Sequence, residues 1–274
     1  MHPDPVKDPS PVLAALAFWL RPRSLLVGLG AGLVNGLVGI GGGLIIVPGL
    51  MFVGRLSPRE AVSTSLGAVM LLSLMALSLN LAMIGLHVSP LGAAALLAAG
   101  FAGAQLGGIM LNVVSQRVVL ILFAALTLFF SGHMLAFSAG WVPAVVDVAG
   151  EPPLWGYPVV GVVAGFFSGM LGIGGGGLVI LGLSLLFHTP VAGGLPLAQM
   201  VNAVNAFSGV LAQFRSRRIH WREVARLVPA SFAGAALGTW AALVLPANVL
   251  RIIFALFFLF MGLRMLRRSG AAAP

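Results

Sequence analysis

The stretch Asn35-Gly-Leu-Val-Gly-Ile-Gly-Gly-Gly43 recurs in the second half of the chain as Ser168-Gly-Met-Leu-Gly-Ile-Gly-Gly-Gly176, and Gly177 extends the second copy. Both copies lie inside long apolar segments. Glycine costs about 1 kcal/mol relative to alanine in a helix interior, so three in succession mark a place where the helix stops. Interrupted backbone within a bilayer is tolerated only where it is packed in protein or lines a cavity. The pattern predicts two helix breaks and a solute path between them.

Composition sets the class. The chain has 274 residues, 59% hydrophobic and 8% charged, whereas soluble domains carry roughly 25% charged residues. An all-α integral membrane protein follows. There is no cysteine, which removes disulfides, thiolate metal sites and thiol catalysis. The net charge of +9 fits arginines at the cytoplasmic ends of spans. No basic run is interleaved with aromatics as single-strand binding requires, so no nucleic-acid partner is expected. The apolar run Val12–Leu20 is followed by Arg21 and Arg23, the reverse of a signal peptide. Residues 1–23 are read as an interfacial segment on the cytoplasmic face.

Apolar segments run over 25–53, 62–84, 90–111, 118–137, 158–187, 192–213, 227–245 and 250–266. The first four correspond to the last four: Gly36 pairs with Gly169, His87 with His220, and Phe101-Ala-Gly-Ala with Phe232-Ala-Gly-Ala. Repeat 1 therefore covers 24–137 and repeat 2 covers 158–268. A periplasmic linker, 138–157, joins them, and 269–274 is a C-terminal tail. If 25–53 and 158–187 both cross the membrane, Arg55, Arg59, Arg117 and Arg251 lie outside. If both are re-entrant hairpins, Arg251 alone of the 15 Lys and Arg residues lies outside. The positive-inside rule selects the hairpins. Each repeat then makes three crossings, an odd number, and the second is inverted relative to the first. Inverted repeats with discontinuous helices and a midplane site are a recurring plan of secondary transporters.

The hairpins also predict chemistry. A half-helix ending near Ile40 and another beginning near Leu44 place free backbone amides at Gly41, Gly42, Gly43 and Leu44. These carry roughly half a positive charge from the helix dipole. Gly174, Gly175, Gly176 and Gly177 do the same in repeat 2. Two such ends facing each other form an anion site without a formal charge. Asn35 can either donate to the solute or cap the broken backbone, and Ser168 occupies its position in the second copy. Thr64 and Ser65 can place hydroxyls in the path, and Gln199, Asn202 and Asn205 place amides there; interhelix hydrogen bonding is the alternative for the amides. Gly100, Gly103, Gly107, Gly234 and Gly238, three or four apart, read as helix-packing positions. Ser57-Pro-Arg-Glu60 is a capping box, with Thr189-Pro190 as its counterpart. His87, His220 and Glu60 are the weak candidates for proton handling. No histidine pair has metal-ligand spacing, no carboxylate lies within any of the apolar spans, and no phosphate-binding glycine-Lys-Ser/Thr motif exists. No cofactor and no enzymatic activity are expected.

The paired motifs Gly36-Leu-Val-Gly-Ile-Gly-Gly-Gly43 and Gly169-Met-Leu-Gly-Ile-Gly-Gly-Gly-Gly177 resemble those of the TauE/SafE sulfite exporters, together with Pro48 and Ser63-Thr-Ser-Leu66. The resemblance covers about residues 24 to 268. It implies a permease or exporter of sulfite, sulfonates or similar small sulfur-containing anions in the bacterial inner membrane; the charge count separately places both termini on the cytoplasmic side. The second repeat departs from the pattern, since Leu181 stands in place of the proline and Thr-Ser is absent. A potential of ~100 mV, inside negative, favours outward movement of each negative charge by roughly 2.3 kcal/mol, so export needs no intramembrane acid. An anion channel, a cation permease using half-helix carbonyls, and a membrane enzyme are the competing readings.

Overall fold

The computed structural model describes residues 22–38, 41–83, 89–141, 152–187 and 194–271. Among them are ten α-helices and no strand. In the first half of the chain these are α1 (Pro22–Val38), α2 (Gly43–Phe52), α3 (Pro58–Met83), α4 (Pro90–Val113) and α5 (Gln116–Ser138). In the second half they are α6 (Gly156–Leu171), α7 (Gly176–Phe187), α8 (Gly194–Phe214), α9 (Trp221–Val244) and α10 (Ala247–Ala271). The segment Val12–Leu20, His87, His188, Thr189-Pro190 and the middle of the linker lie outside the described residues.

Local chemistry starts the long helices. The predicted capping box forms at α3: Ser57 N–H donates to Glu60 Oε2 at 2.9 Å, and Glu60 N–H donates to Ser57 Oγ at 3.4 Å. Ser89 Oγ accepts from Gly92 N–H at α4, with Pro90 at the first helical position. Ser115 Oγ accepts from Val118 N–H at α5. The helices after the glycine triplets begin differently. Gly42, which precedes α2, has φ 72° and supplies no side-chain cap. Gly41 has φ 89°, and Gly172, Gly174 and Gly175 have φ of 72°, 94° and 97°. This left-handed region is open to glycine at little cost. The third glycine of each triplet is already helical, so α2 starts at Gly43, one residue earlier than expected.

At each break the chain turns back. Gly42, Ile45 and Gly49 of the α2 side meet Ala31, Gly30 and Val27 of α1, so α1 and α2 run antiparallel. Gly175, Gly182 and Phe187 meet Ala164, Val160 and Gly156, so α6 and α7 do the same.

Each hairpin packs against the other repeat. Helix α1 lies parallel to α9, and α6 lies parallel to α4. The contacts are backbone on backbone: a Cβ at Gly107, Gly165, Gly169, Gly234 or Gly238 would lie 2.0 to 2.2 Å from a carbonyl oxygen of the facing helix. Small residues permit this close approach, which is how helices associate where lipid removes the usual apolar driving force. Gly103 meets Val162 in the same way, whereas Gly100 meets both α6 and Asn205.

Helix α3 runs antiparallel to α8, and α5 runs antiparallel to α10. Ser63 and Leu66 of α3 lie opposite Gln213 and Gly209 of α8. Thr127 and Ser131 of α5 lie opposite Gly262 and Ala255 of α10. These pairings gather most arginines at one end. Arg59 donates to the Val114 carbonyl, Arg218 donates to Asn112 Oδ1 at 2.7 Å, and Arg264 stacks on Phe52. Arg251 stacks on Phe137 at the opposite end. Three helical stretches, Pro58–Ser78, Pro90–Val113 and Gln116–Ser138, are long and apolar enough to cross a membrane. Their counterparts α8, α9 and α10 have 21, 24 and 25 residues.

Candidate functional site at the paired helix breaks

The two breaks meet at Asn202 of α8. A Cβ on Gly41 would lie 2.9 Å from Asn202 Nδ2, and one on Gly174 would lie 2.5 Å from its Oδ1. Gly43 packs directly on the Gly172 carbonyl and Ile173. At Gly41 and Gly174 glycine is required twice over, by the positive φ and by the absence of room for a side chain, and at Gly43 by the absence of room.

A chain of amides connects the two helix starts. Gly41 N–H donates to Asn35 Oδ1 at 2.8 Å, and Gln199 Nε2 donates to the same oxygen at 3.4 Å. Asn202 Nδ2 donates to Gln199 Oε1 at 3.5 Å, and Gly176 N–H donates to Asn202 Oδ1 at 2.6 Å. The two amide–amide links are long and weak, while the bonds to backbone are short. All three side chains are buried: Asn35 is 5% exposed, Gln199 2% and Asn202 0%. Asn35 thus caps the broken backbone, one of the two roles left open by the sequence. Its bond means that the Gly41 amide is not free for a solute, and Gly176 is likewise taken. The remaining first-turn amides of α2 and α7, from Gly43, Leu44, Gly177 and Leu178, have no intrahelical partner by helix geometry. They leave partial positive charge at the junction.

Two predicted residues stay unsatisfied beside the second break. Asn205 and Ser168 are fully buried, and the Asn205 amide oxygen, its amide nitrogen and Ser168 Oγ have no hydrogen-bond partner among the described residues. Asn205 sits between Gly100 of α4 and Gly175, where added Cβ atoms would lie 2.6 and 2.8 Å from its amide. Ser168 Cβ would lie 3.2 Å from the same position on Gly175. Buried polar groups are normally paired, because an unpaired one costs about 1–3 kcal/mol. Helices α2, α4, α6, α7 and α8 contain no Asp, Glu, His, Lys or Arg.

Comparison with known proteins agrees with the motifs. The family model described as sulfite exporter TauE/SafE matches residues 24–194 and 159–274, one match for each half. The chain belongs to the TauE/SafE family. A curated relative, the probable membrane transporter protein YunE of Bacillus subtilis (strain 168), is 28% identical over 236 residues, covering 78% of this chain and 85% of the relative. No solved structure matches. The family is one of membrane transporters, not of enzymes.

In this TauE/SafE chain the remaining predicted residues divide. Ser65 reaches the second break, where its hydroxyl donates to the Gly172 carbonyl at 2.7 Å. Thr64 does not join the site: its Oγ1 accepts from the His220 N–H at 3.1 Å, towards the arginine-rich end. Gln213 bonds between helices, donating to the Gly108 carbonyl and accepting from Ser63 Oγ. Gln105 accepts from Ser208 Oγ at 3.2 Å. Glu60 pairs with His220 at 3.5 Å in addition to its capping role. Sequence reading missed a buried group in α9, where Arg226 bonds to Glu223 and Ser24 Oγ donates to Glu223 Oε2 at 2.7 Å. The signal was there, since Glu and Arg three apart share a helix face.

Proposed function

We propose that the protein is a secondary transporter of small sulfur-containing anions, sulfite or a sulfonate, across the bacterial inner membrane. The observation that carries the reading is the meeting of two broken helices at a buried junction. That junction holds amide dipoles, asparagines and serines, and α2, α4, α6, α7 and α8 around it carry no charged side chain. Partial positive charge with uncharged donors attracts a small anion and lets it leave again. A cation would find no counter-charge there.

The antiparallel courses of α3 with α8 and of α5 with α10 support inverted repeats. The antiparallel α1–α2 and α6–α7 pairs support re-entrant hairpins with six crossings. The gathering of arginines at one end, with Arg251 at the other, supports cytoplasmic termini. The family description supports sulfite as the first substrate to test.

The test is flux of labelled sulfite into proteoliposomes. Wild-type protein is expected to equilibrate the anion, and Gly42→Leu, which forces a side chain into φ 72°, is expected to block flux while still reconstituting. Equal flux by the variant overturns the site. Flux far above carrier turnover in single-channel recordings would make the protein a channel. Topology has its own check: the chain lacks cysteine, so Arg55→Cys supplies a unique label site. Labelling from the periplasmic side overturns the hairpins.

A further inference from the structure

We infer that the ligand is held at the second break by Asn205 and Ser168, and that it binds as a singly charged oxyanion still carrying one O–H. The inference rests on the transporter reading just given and narrows it.

Charge sets the first half. Two helix N-termini supply roughly +0.5 each, about one unit together. Helices α2, α4, α6, α7 and α8 add no cationic side chain, Arg23 stands at the start of α1, about three helical turns before Asn35, and the ionisable residues of α3, Arg59 and Glu60, are turned to Val114 and to Ser57 and His220. Burying a second negative charge without compensation is costly. A monoanion matches the field, and a dianion exceeds it.

Hydrogen bonding sets the second half. Asn202 and Asn35 are occupied in capping Gly176 and Gly41. Among the described residues, Asn205 and Ser168 are the buried polar side chains at the breaks with nothing to bond to. Whichever way the Asn205 amide is turned, it leaves one unpaired acceptor as well as a donor. A fully deprotonated anion or a halide can satisfy donors only. An anion with one remaining O–H satisfies both, with its hydroxyl donating to the Asn205 carbonyl or to Ser168 Oγ.

The experiment is calorimetric binding to purified protein in nanodiscs, with sulfite and selenite titrated across pH. Sulfate is the dianion comparator. Methanesulfonate, a monoanion without an O–H whose charge is constant over the range, reports any titration of the protein itself. Sulfite and selenite affinity is expected to fall about tenfold per pH unit above each acid's second ionisation, as linkage requires when only the protonated form binds. Methanesulfonate is expected to bind at least about tenfold more weakly, since a site built to pair a hydroxyl rejects analogues that lack one. Sulfate is expected not to bind. Ser168→Ala and Asn205→Leu are each expected to cut sulfite affinity about tenfold or more while the ligand-free unfolding midpoint stays level or rises, because an unsatisfied buried group has been removed. Sulfate binding equal to sulfite, pH-independent affinity, or unchanged affinity in both variants overturns this inference and leaves the anion-transporter reading intact. Absence of binding by every anion overturns both.

Discussion

At the first break Gly41 faces Asn202 of α8; at the second, the corresponding Gly174 faces Val69 of α3 together with that same Asn202. The difference runs along both helices. Gln199, Asn202 and Asn205 of α8 stand at the same distances from their glycine triplet as Leu66, Val69 and Leu72 of α3 do from theirs. All six are buried. The backbone of the two repeats is therefore matched: positive-φ glycines, antiparallel hairpins and reciprocal packing. The side chains at the junction are not matched, since the amides come from α8 and the apolar surface from α3. The two helix starts correspond, and on the proposed reading the unmatched side chains are what select where a ligand is held.

Substitutions can break or sharpen this contrast. The backbone half predicts equal, large effects at both breaks. Gly41→Leu and Gly174→Leu are each expected to lower sulfite flux in proteoliposomes by at least about a hundredfold, the usual cost of misplacing a binding group by an ångström. A large difference between them would show that the breaks are not equivalent even in backbone. The side-chain half predicts unequal effects. Asn202→Val copies the α3 residue into α8 and strands the Gly176 N–H. It is expected to destabilise the protein by about 1–3 kcal/mol, read as a lowered thermal unfolding midpoint in detergent, and to reduce flux. Asn35→Ser gives the first break the residue of the second. A shorter side chain loses the bond to Gly41, with an expected cost of about 1 kcal/mol and a smaller change in anion affinity than Asn205→Leu produces. Ser65→Ala removes the bond to the Gly172 carbonyl, with an expected loss of about 0.5–1.5 kcal/mol and flux within a few-fold of wild type.

What the sequence disclosed and what it hid follow the range of the interaction involved. Glycine triplets stop helices through their own φ preferences, and the Ser57–Glu60 box closes within one turn, so both were legible. The packing role of Gly103, Gly107, Gly234 and Gly238 was legible from spacing. The identity of the facing helix was not, because nothing in α1 names α9. The roles of the polar residues were least legible. Asn35 and Ser168 occupy equivalent positions, yet the longer Asn35 side chain caps Gly41, whereas Ser168 Oγ has no partner among the described residues. Thr64 and Ser65 are neighbours in sequence, and the helical turn between them sends one to the His220 amide and the other to the second break.

The exchanged hairpins carry a consequence for how such a molecule can be divided. Severing the chain between residues 141 and 152 yields two pieces, each with an empty glycine-lined cleft on its fourth helix and a folded-back pair of helices with nothing to clasp it. Neither piece is a smaller version of the whole, since α1 seats on α9 and α6 on α4, and the two pieces are expected to fold only when produced together.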